Sequence, residues 1–242
     1  MPFDSRGARV RTQAVVLAGG LGTRLGELAK HTPKPMVSVA GQPFLHWQLR
    51  YLQEQGLSDV LLLISHLGHV IREHFERRPM PGLNLQFALE AEPLGTGGAL
   101  ANALPQLADE FFLINGDSFL PANLQKMREH VLKHPWTACI ATLIHAELVP
   151  VPGNIEVRGD TVARFKKGGG REQGFPYVDA GVYYLRREMI EKGPRGRFDL
   201  EAYWPALIAR QKLGVFPVSE RFFDIGTPER LRQFEEHLHD YF

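Results

Sequence analysis

Along the first two thirds of the chain, short apolar runs alternate with stretches whose apolar residues recur three and four positions apart. The runs at 14–18, 59–64, 85–89, 111–114 and 137–144 predict strands, and the stretches at 44–55, 69–75, 98–104 and 122–133 predict the helices between them. Such an alternation builds a mostly parallel sheet with helices on both faces, and ligands then collect beyond the carboxyl ends of the strands. After about residue 150 the texture changes. Segments 155–157 and 162–165 flank Arg158-Gly159-Asp160-Thr161, whose Gly-Asp centre suits a tight hairpin. The glycine-rich stretch 168–174 predicts a mobile loop serving as a substrate lid. A strand at 177–185, a helix at 200–210 and a strand at 213–217 follow. Residues 222–224 then lead into a final helix opened by Thr227 and Pro228. The expected fold class is α/β: a Rossmann-like, mixed and mostly parallel sheet with helices on both faces and a small β-rich appendage.

Composition narrows the class. A chain of 242 residues with 44% hydrophobic content can bury one substantial core, so a single domain over 1–242 is expected, with parts at 1–149 and 150–242. The net charge of +1 is scattered, which leaves no electrostatic footprint for nucleic acid or an anionic membrane. The single cysteine, Cys139, sits in an apolar run and reads as a buried thiol, which excludes an intramolecular disulfide. The apolar stretch near the start is too short for a signal peptide or a membrane span, so a cytoplasmic location is expected.

Two features at the predicted sheet edge carry chemistry. The loop Gly19-Gly20-Leu21-Gly22-Thr23-Arg24-Leu25-Gly26 follows the first strand. Its glycines let backbone N–H groups close on an anion, and Arg24 adds a planar fork of donors suited to phosphate oxygens. Asn115-Gly116-Asp117-Ser118 follows another strand at the same edge. A Walker loop would need Gly-Lys-Ser/Thr where Arg24 and Leu25 stand, and a dinucleotide fingerprint would need glycine at Leu25, so both readings fail on spacing. The ten histidines offer no metal site: His130 and His134 are four apart but lack the zincin glutamate, and His66 and His69 straddle a turn. Gly-x-Ser-x-Gly is absent as well.

The blocks Leu17-Ala18-Gly19-Gly20-Leu21-Gly22-Thr23-Arg24-Leu25, Thr32-Pro33-Lys34-Pro35-Met36 and Gly41-Gln42-Pro43 together resemble the signature of the sugar-1-phosphate nucleotidyltransferases. Further marks follow in order: Pro93-Leu94-Gly95-Thr96-Gly97-Gly98-Ala99, Asn115-Gly116-Asp117, Asp179-Ala180-Gly181-Val182-Tyr183 and Phe223-Asp224-Ile225-Gly226-Thr227-Pro228. The resemblance implies attack by a sugar-1-phosphate oxygen on the α-phosphorus of a nucleoside triphosphate, giving an NDP-sugar and pyrophosphate. Two anions must meet, so the chemistry rests on positioning and charge neutralisation. Arg24 would clamp the β- and γ-phosphates, and Lys34, stiffened by its flanking prolines, would serve as a point charge at the α-phosphate. The nucleotide would further be held by Leu17, Ala18, Gly19, Gly20, Gly22, Thr23, Glu90, Gly95, Thr96 and Gly97. Asn115, Gly116, Gly153, Lys167 and Asp179 would hold the sugar phosphate. The family's matching aspartates bind Mg²⁺, which places Asp117 and Asp224 as its ligands and Asp117 among the catalytic groups. The parts 1–149 and 150–242 then read as nucleotide-binding and sugar-phosphate-binding.

Glu90 bears on the base, since guanine presents two adjacent donors that a carboxylate accepts while repelling pyrimidine carbonyls; Glu92 competes for the role. The block 90–99 with Asn115-Gly116-Asp117 looks most like the heptose 1-phosphate guanylyltransferases, which act on D-glycero-α-D-manno-heptose 1-phosphate. Two positions depart from that pattern. The family's Phe-x-Glu-Lys stands here as Phe165-Lys166-Lys167-Gly168, and the usual asparagine before Ala-Gly-Val-Tyr is Asp179. Mannose-1-phosphate guanylyltransferase, uridylyl- or thymidylyltransferase, cytidylyltransferase and a non-catalytic nucleotide sensor stay open as alternatives at this point. A homo-oligomer is compatible with the chain.

Overall fold

The computed structural model describes residues 12–20 and 32–242. Strand β1 (Gln13–Leu17) is followed by a short ribbon, β2 (Ser38–Val39) and β3 (Gln42–Pro43), and by helix α1 (Phe44–Glu54). Then come β4 (Asp59–Ile64), α2 (Gly68–Arg77), β5 (Asn84–Leu89), α3 (Gly95–Asn102), β6 (Glu110–Asn115), β7 (Ser118–Phe119), α4 (Leu124–Val131) and β8 (Ala138–Leu143). The last third adds β9 (Ile155–Arg158), β10 (Thr161–Phe165), β11 (Val178–Arg186), α5 (Arg187–Glu191), α6 (Trp204–Ala209), β12 (Leu213–Val218), β13 (Phe223–Asp224) and α7 (Pro228–His237).

Among the described residues, the main sheet has nine strands in the order β5-β4-β1-β6-β11-β8-β12-β10-β9. The β5-β4-β1-β6 half is wholly parallel, β11 is inverted between β6 and β8, and β12 returns parallel to β8. The β9–β10 hairpin turns at Gly159 (φ +58°), as its Gly-Asp centre requires, and extends the same sheet through the Thr161–Gly214 pairing with β12. The β-rich part expected as an appendage is therefore the far edge of one continuous sheet.

Alternation along the strands divides the core. Ala14, Val16, Leu62 and Ile64 point to the face covered by Leu45 and Leu49 of α1, Ile71 of α2 and Met127 of α4. Val15, Leu61, Leu63 and Leu113 point to the other, against Leu100 of α3, Ile190 of α5 and Trp204 of α6. A third cluster joins α7 to the β7–β13 ribbon, with Phe234 edge-on to Phe44 at 5.0 Å between centroids and Phe223 beside it. Such aromatic pairs contribute about 0.5–1.5 kcal/mol beyond the area they bury. Cys139 is fully buried between these layers, and desolvation pushes its thiol far above the ordinary range, as expected of an inert core residue. No helix among the described residues is long and apolar enough to cross a membrane.

Several expectations shift. The helix expected from 98 starts at Gly95, because Gly97 and Gly98 allow α3 to lie against the segment around Phe198, whose carbonyl accepts both of their N–H groups at 3.1 Å. The helix expected over 200–210 begins as a 3₁₀ turn, Leu200–Tyr203, and becomes α-helical only at Trp204, with Pro205 in its first turn. Helix α5 was not anticipated, since it continues the strand before it without a break residue, and neither were the two-residue ladders β2–β3 and β7–β13, too short to leave a period. The stretch 168–174, expected as a mobile loop serving as a substrate lid, is tied into a turn: Gly170 N–H donates to Gly153 O at 2.7 Å, Phe175 N–H returns to Gly170 O, and Arg171–Gln173 form a 3₁₀ turn. Buried Phe175 anchors it, with Arg164 over its ring.

Gly98→Ala sets two effects against each other. Alanine favours a helix interior by about 1 kcal/mol, but its Cβ would stand 2.5 Å from the Gly196 carbonyl oxygen, which as backbone cannot swing away. Overpacking of this kind costs roughly 1–3 kcal/mol, so the clash wins. Urea unfolding should show Gly98→Ala less stable than the parent, and an unchanged midpoint would show that the two segments can separate.

Candidate active site

The loops after β1, β4, β5 and β6 all open at one sheet edge. Parallel pairing sets Leu17 opposite Leu63 on one side and Asn115 on the other. Bonds from Ala18 N–H to Leu63 O (2.9 Å), Glu90 N–H to Ile64 O (3.0 Å) and Gly116 N–H to Leu17 O (3.1 Å) carry the register past the strand ends. Two glycines permit this closeness. A Cβ on Gly116 would collide with the Leu17 carbonyl oxygen, and one on Gly19 would stand 2.9 Å from Ser65 Cβ and 3.4 Å from Glu90 Oε1.

These loops enclose a cleft of about 380 Å³. Of the residues predicted for the nucleotide, Leu17, Gly19, Gly20, Glu90, Gly95 and Thr96 line it, together with Lys34, Asn115, Gly116 and Asp117. Gly22, Thr23 and Arg24 lie outside the described residues. Ala18 and Gly97 do not reach the cleft: Ala18 is buried beneath it, and Gly97 is packed on Phe198 with its N–H already committed there. The Thr96 hydroxyl is also engaged, accepting the Leu200 N–H at 2.8 Å.

Lys34 opens the 3₁₀ turn Lys34–Met36, with Pro33 before it, Pro35 inside it and Met36 N–H donating to Pro33 O at 2.7 Å. The prolines fix φ, so the lysine stem is buried and its ammonium is aimed at Asp117 Oδ2, 2.5 Å away. The lysine side chain is 8% exposed and the aspartate 37%, so the pair sits at the cleft floor with the carboxylate open to it. A buried ammonium needs such a partner. Asp117 is its one hydrogen-bond partner among the described residues, which leaves two of its three N–H donors for a ligand. Glu90 accepts the Leu94 N–H on Oε2 at 2.8 Å, while Oε1 faces Gly19. Burial pushes its carboxyl pKa up, against the pull of that backbone N–H. Glu92 is exposed and outside the cleft lining.

A second compartment of about 280 Å³ shares Leu17, Thr96, Asn115 and Asp199 with the first. Asp179 and Lys167, predicted for the sugar phosphate, line it beside Asn154, Tyr183 and Glu201. Lys167 is an exposed rim residue paired with Glu201 at 3.1 Å, and that partner raises its pKa. Asp179 accepts from Gly181 N–H (2.9 Å) and Tyr183 O–H (2.8 Å), yet burial dominates and pushes its pKa up to about 6. Gly153 stands apart from both compartments. It is buried under the 168–174 turn, and a Cβ there would overlap the Phe175 carbonyl, so its glycine serves that packing.

Asp224 pairs across the β7–β13 ladder with Ser118, and Ile225 N–H donates to Asp117 O at 3.0 Å, so the two predicted metal ligands are on adjoining segments, although Asp224 does not line the cleft. Arg230 holds both Asp224 oxygens at 3.0 Å. Among the described residues no group of three or more histidine, cysteine or acidic side chains clusters for a metal. The sequence reading missed Asn154, Tyr183, Asp199 and Glu201. Asn154 adjoins the predicted Gly153 and Tyr183 closes the block that begins at the predicted Asp179, but Asp199 and Glu201 carry no motif and reach the site because Phe198 docks on α3.

With that geometry in place, the chain matches the nucleotidyl transferase family model over residues 13–240 and belongs to that family. It is 32% identical over 224 residues to the D-glycero-alpha-D-manno-heptose 1-phosphate guanylyltransferase of Campylobacter jejuni, covering 92% of this chain and 98% of that one. The protein of that name from Aneurinibacillus thermoaerophilus is 30% identical, at 95% and 99% coverage. The solved structure of HddC from Yersinia pseudotuberculosis complexed with GMP-PN superposes with a TM-score of 0.78 at 31% identity, covering 94% of this chain and 99% of that one.

The raised Asp179 pKa has a sign that can be checked. Its folded value of about 6 lies above the ordinary 3.8, so folding above pH 6 must bury a charge, and that penalty disappears as the group protonates below its folded pKa. Asp179→Asn should therefore gain stability relative to the parent at pH 8 compared with pH 4.5, by on the order of 2 kcal/mol. Urea midpoints at the two pH values measure it; a pH-independent difference would place the carboxylate in water.

Proposed function

We propose that this chain transfers a guanylyl group from GTP to a sugar 1-phosphate, with D-glycero-α-D-manno-heptose 1-phosphate as the acceptor. One observation supports this most: the Lys34–Asp117 pair, the Gly19–Gly20 backbone and the Glu90 carboxylate share one cleft, which adjoins a polar compartment across Leu17 and Asn115. The similarity to named heptose 1-phosphate guanylyltransferases along nearly their whole length supports the choice of base and sugar.

In this reading guanine lies near Glu90, whose carboxylate accepts from N1–H and N2–H₂, and the sugar occupies the compartment of Asn115, Asp179 and Lys167. A phosphate oxygen of the sugar 1-phosphate attacks the α-phosphorus in line. The bond from the α-phosphorus to the bridging oxygen breaks, and pyrophosphate leaves with the electron pair. Lys34 uses its two uncommitted N–H donors to neutralise the meeting phosphates, while Arg24 clamps the β- and γ-phosphates. The carboxylates of Asp117 and Asp224 are hard oxygen donors of the kind Mg²⁺ takes; Asp117, open to the cleft, would hold the ion, and Asp224 on the adjoining strand would join it by giving up an oxygen now held by Arg230. When bound, it supplies further charge neutralisation to the phosphates.

Pyrophosphate release should be measured for four nucleoside triphosphates against heptose, mannose and glucose 1-phosphates, with and without Mg²⁺. GTP with the heptose should give the highest kcat/KM. Preference for UTP or dTTP would overturn the base assignment, and tight GTP binding without turnover would mark a sensor. Lys34→Met should lower kcat by about 10²–10³-fold while the protein stays folded. Glu90→Gln should shift preference from GTP toward UTP or dTTP by roughly 10–100-fold, because the amide presents a donor where the carboxylate presented acceptors.

A further inference from the structure

Gln48 lies in the middle of α1, and it is 3% exposed. Its side-chain NH₂ donates to Asn115 O at 2.9 Å and to Ser118 O at 2.5 Å. Those carbonyls bracket the turn that carries Gly116 and Asp117. Only this amide orientation serves them, since the flipped one would set an oxygen against two carbonyl oxygens. The orientation has a cost: Gln48 Oε1 is buried with no partner among the described residues, beside a void of about 20 Å³ with room for one water. Two further bonds meet the same turn, from Gly116 N–H to Leu17 O and from Ile225 N–H to Asp117 O. The Asp117 peptide is thus tied to β1, to β13 and, through Gln48, to a helix on the buried face.

We infer that Gln48 is a positioning residue for the transfer reaction: its amide clamps the 115–118 turn so that the Asp117 carboxylate stays on Lys34 and faces the cleft. The kinetic part rests on the transferase reading above; the structural part does not. Hydrogen bonds of this kind hold a reacting group within the narrow geometry that in-line chemistry demands, and a misplacement of about 1 Å costs up to roughly 100-fold.

The test compares Gln48→Leu with Leu52→Ala, a packing variant of the same helix that lines the same void but does not touch the turn. Gln48→Leu should lower kcat by about 30-fold or more while KM for GTP changes less than about threefold. Hydrogen exchange at the Gly116 and Ile225 amides should quicken about tenfold, with the α1 amides unaffected. Leu52→Ala should lower Tm and leave both readouts near the parent values. Near-parent kcat and exchange in Gln48→Leu, or an equal loss of kcat in Leu52→Ala, would overturn the inference. If the parent turns over no nucleotide with any sugar phosphate, the transferase reading fails, and the exchange comparison alone then decides whether Gln48 holds the turn.

Discussion

The parallel pairing of β1 between β4 and β6 is the constraint on which the rest of the molecule depends. It sets Leu17 level with Leu63 and Asn115, so the chains leaving three neighbouring strands emerge side by side. A shift of one residue would send Val15 and Val16 to each other's faces and unmake both layers of the core. The apolar alternation that stabilises the sheet is therefore also what fixes the cleft. Glycine at 19 and 116 is the local corollary, because strands locked in this register leave no room for a Cβ where their loops cross.

On that frame the charges are held by opposed requirements. The Lys34 ammonium is sequestered at the end of a proline-stiffened turn, which is tolerable only because Asp117 faces it at 2.5 Å. Asp117 in turn is exposed enough to exchange partners, while Asp224 is held by the Arg230 guanidinium. The charges of the site are thus tied into internal ion pairs, Lys34 with Asp117 and Arg230 with Asp224. Removing Asp117 leaves the buried Lys34 ammonium uncompensated, which is why substitution there reads on charge before it reads on packing.

Much of this was legible in the sequence for a physical reason. Buried parallel strands write continuous apolar runs, and backbone crowding writes glycine, so the strands and the blocks around Gly19, Lys34, Gly95 and Asn115 stood out. What failed was what leaves no period or no local cause. The β7–β13 ladder is too short for alternation, and Asp199 and Glu201 enter the site through the docking of Phe198 on α3. The glycines at 168–174 predicted freedom, yet Gly169 is glycine because Phe175 packs against it, and Gly153 because the same turn closes over it. Glycine signals a demand for space or for positive φ, and sequence alone does not say which of these, or mobility, it serves.

Among the described residues, the two compartments each set one cation against three carboxylates, and they differ in where that cation stands: Lys34 is buried and Lys167 is exposed at the rim. In the first, Lys34 faces Glu90, Asp117 and Asp199 within glycine backbone; in the second, Lys167 faces Asp179, Asp199 and Glu201. Lys167 is moreover committed to Glu201 at the rim, where an exposed pair contributes little and yields readily to a better partner. A carboxylate-rich wall accepts hydroxyl hydrogens well and repels a second anion. On the proposed reading, the carboxylate wall of the second compartment suits a polyhydroxylated ring, with its phosphate turned away from Asp179 toward the buried Lys34 ammonium. In that reading, the same wall disfavours acceptors that carry a carboxylate on the ring.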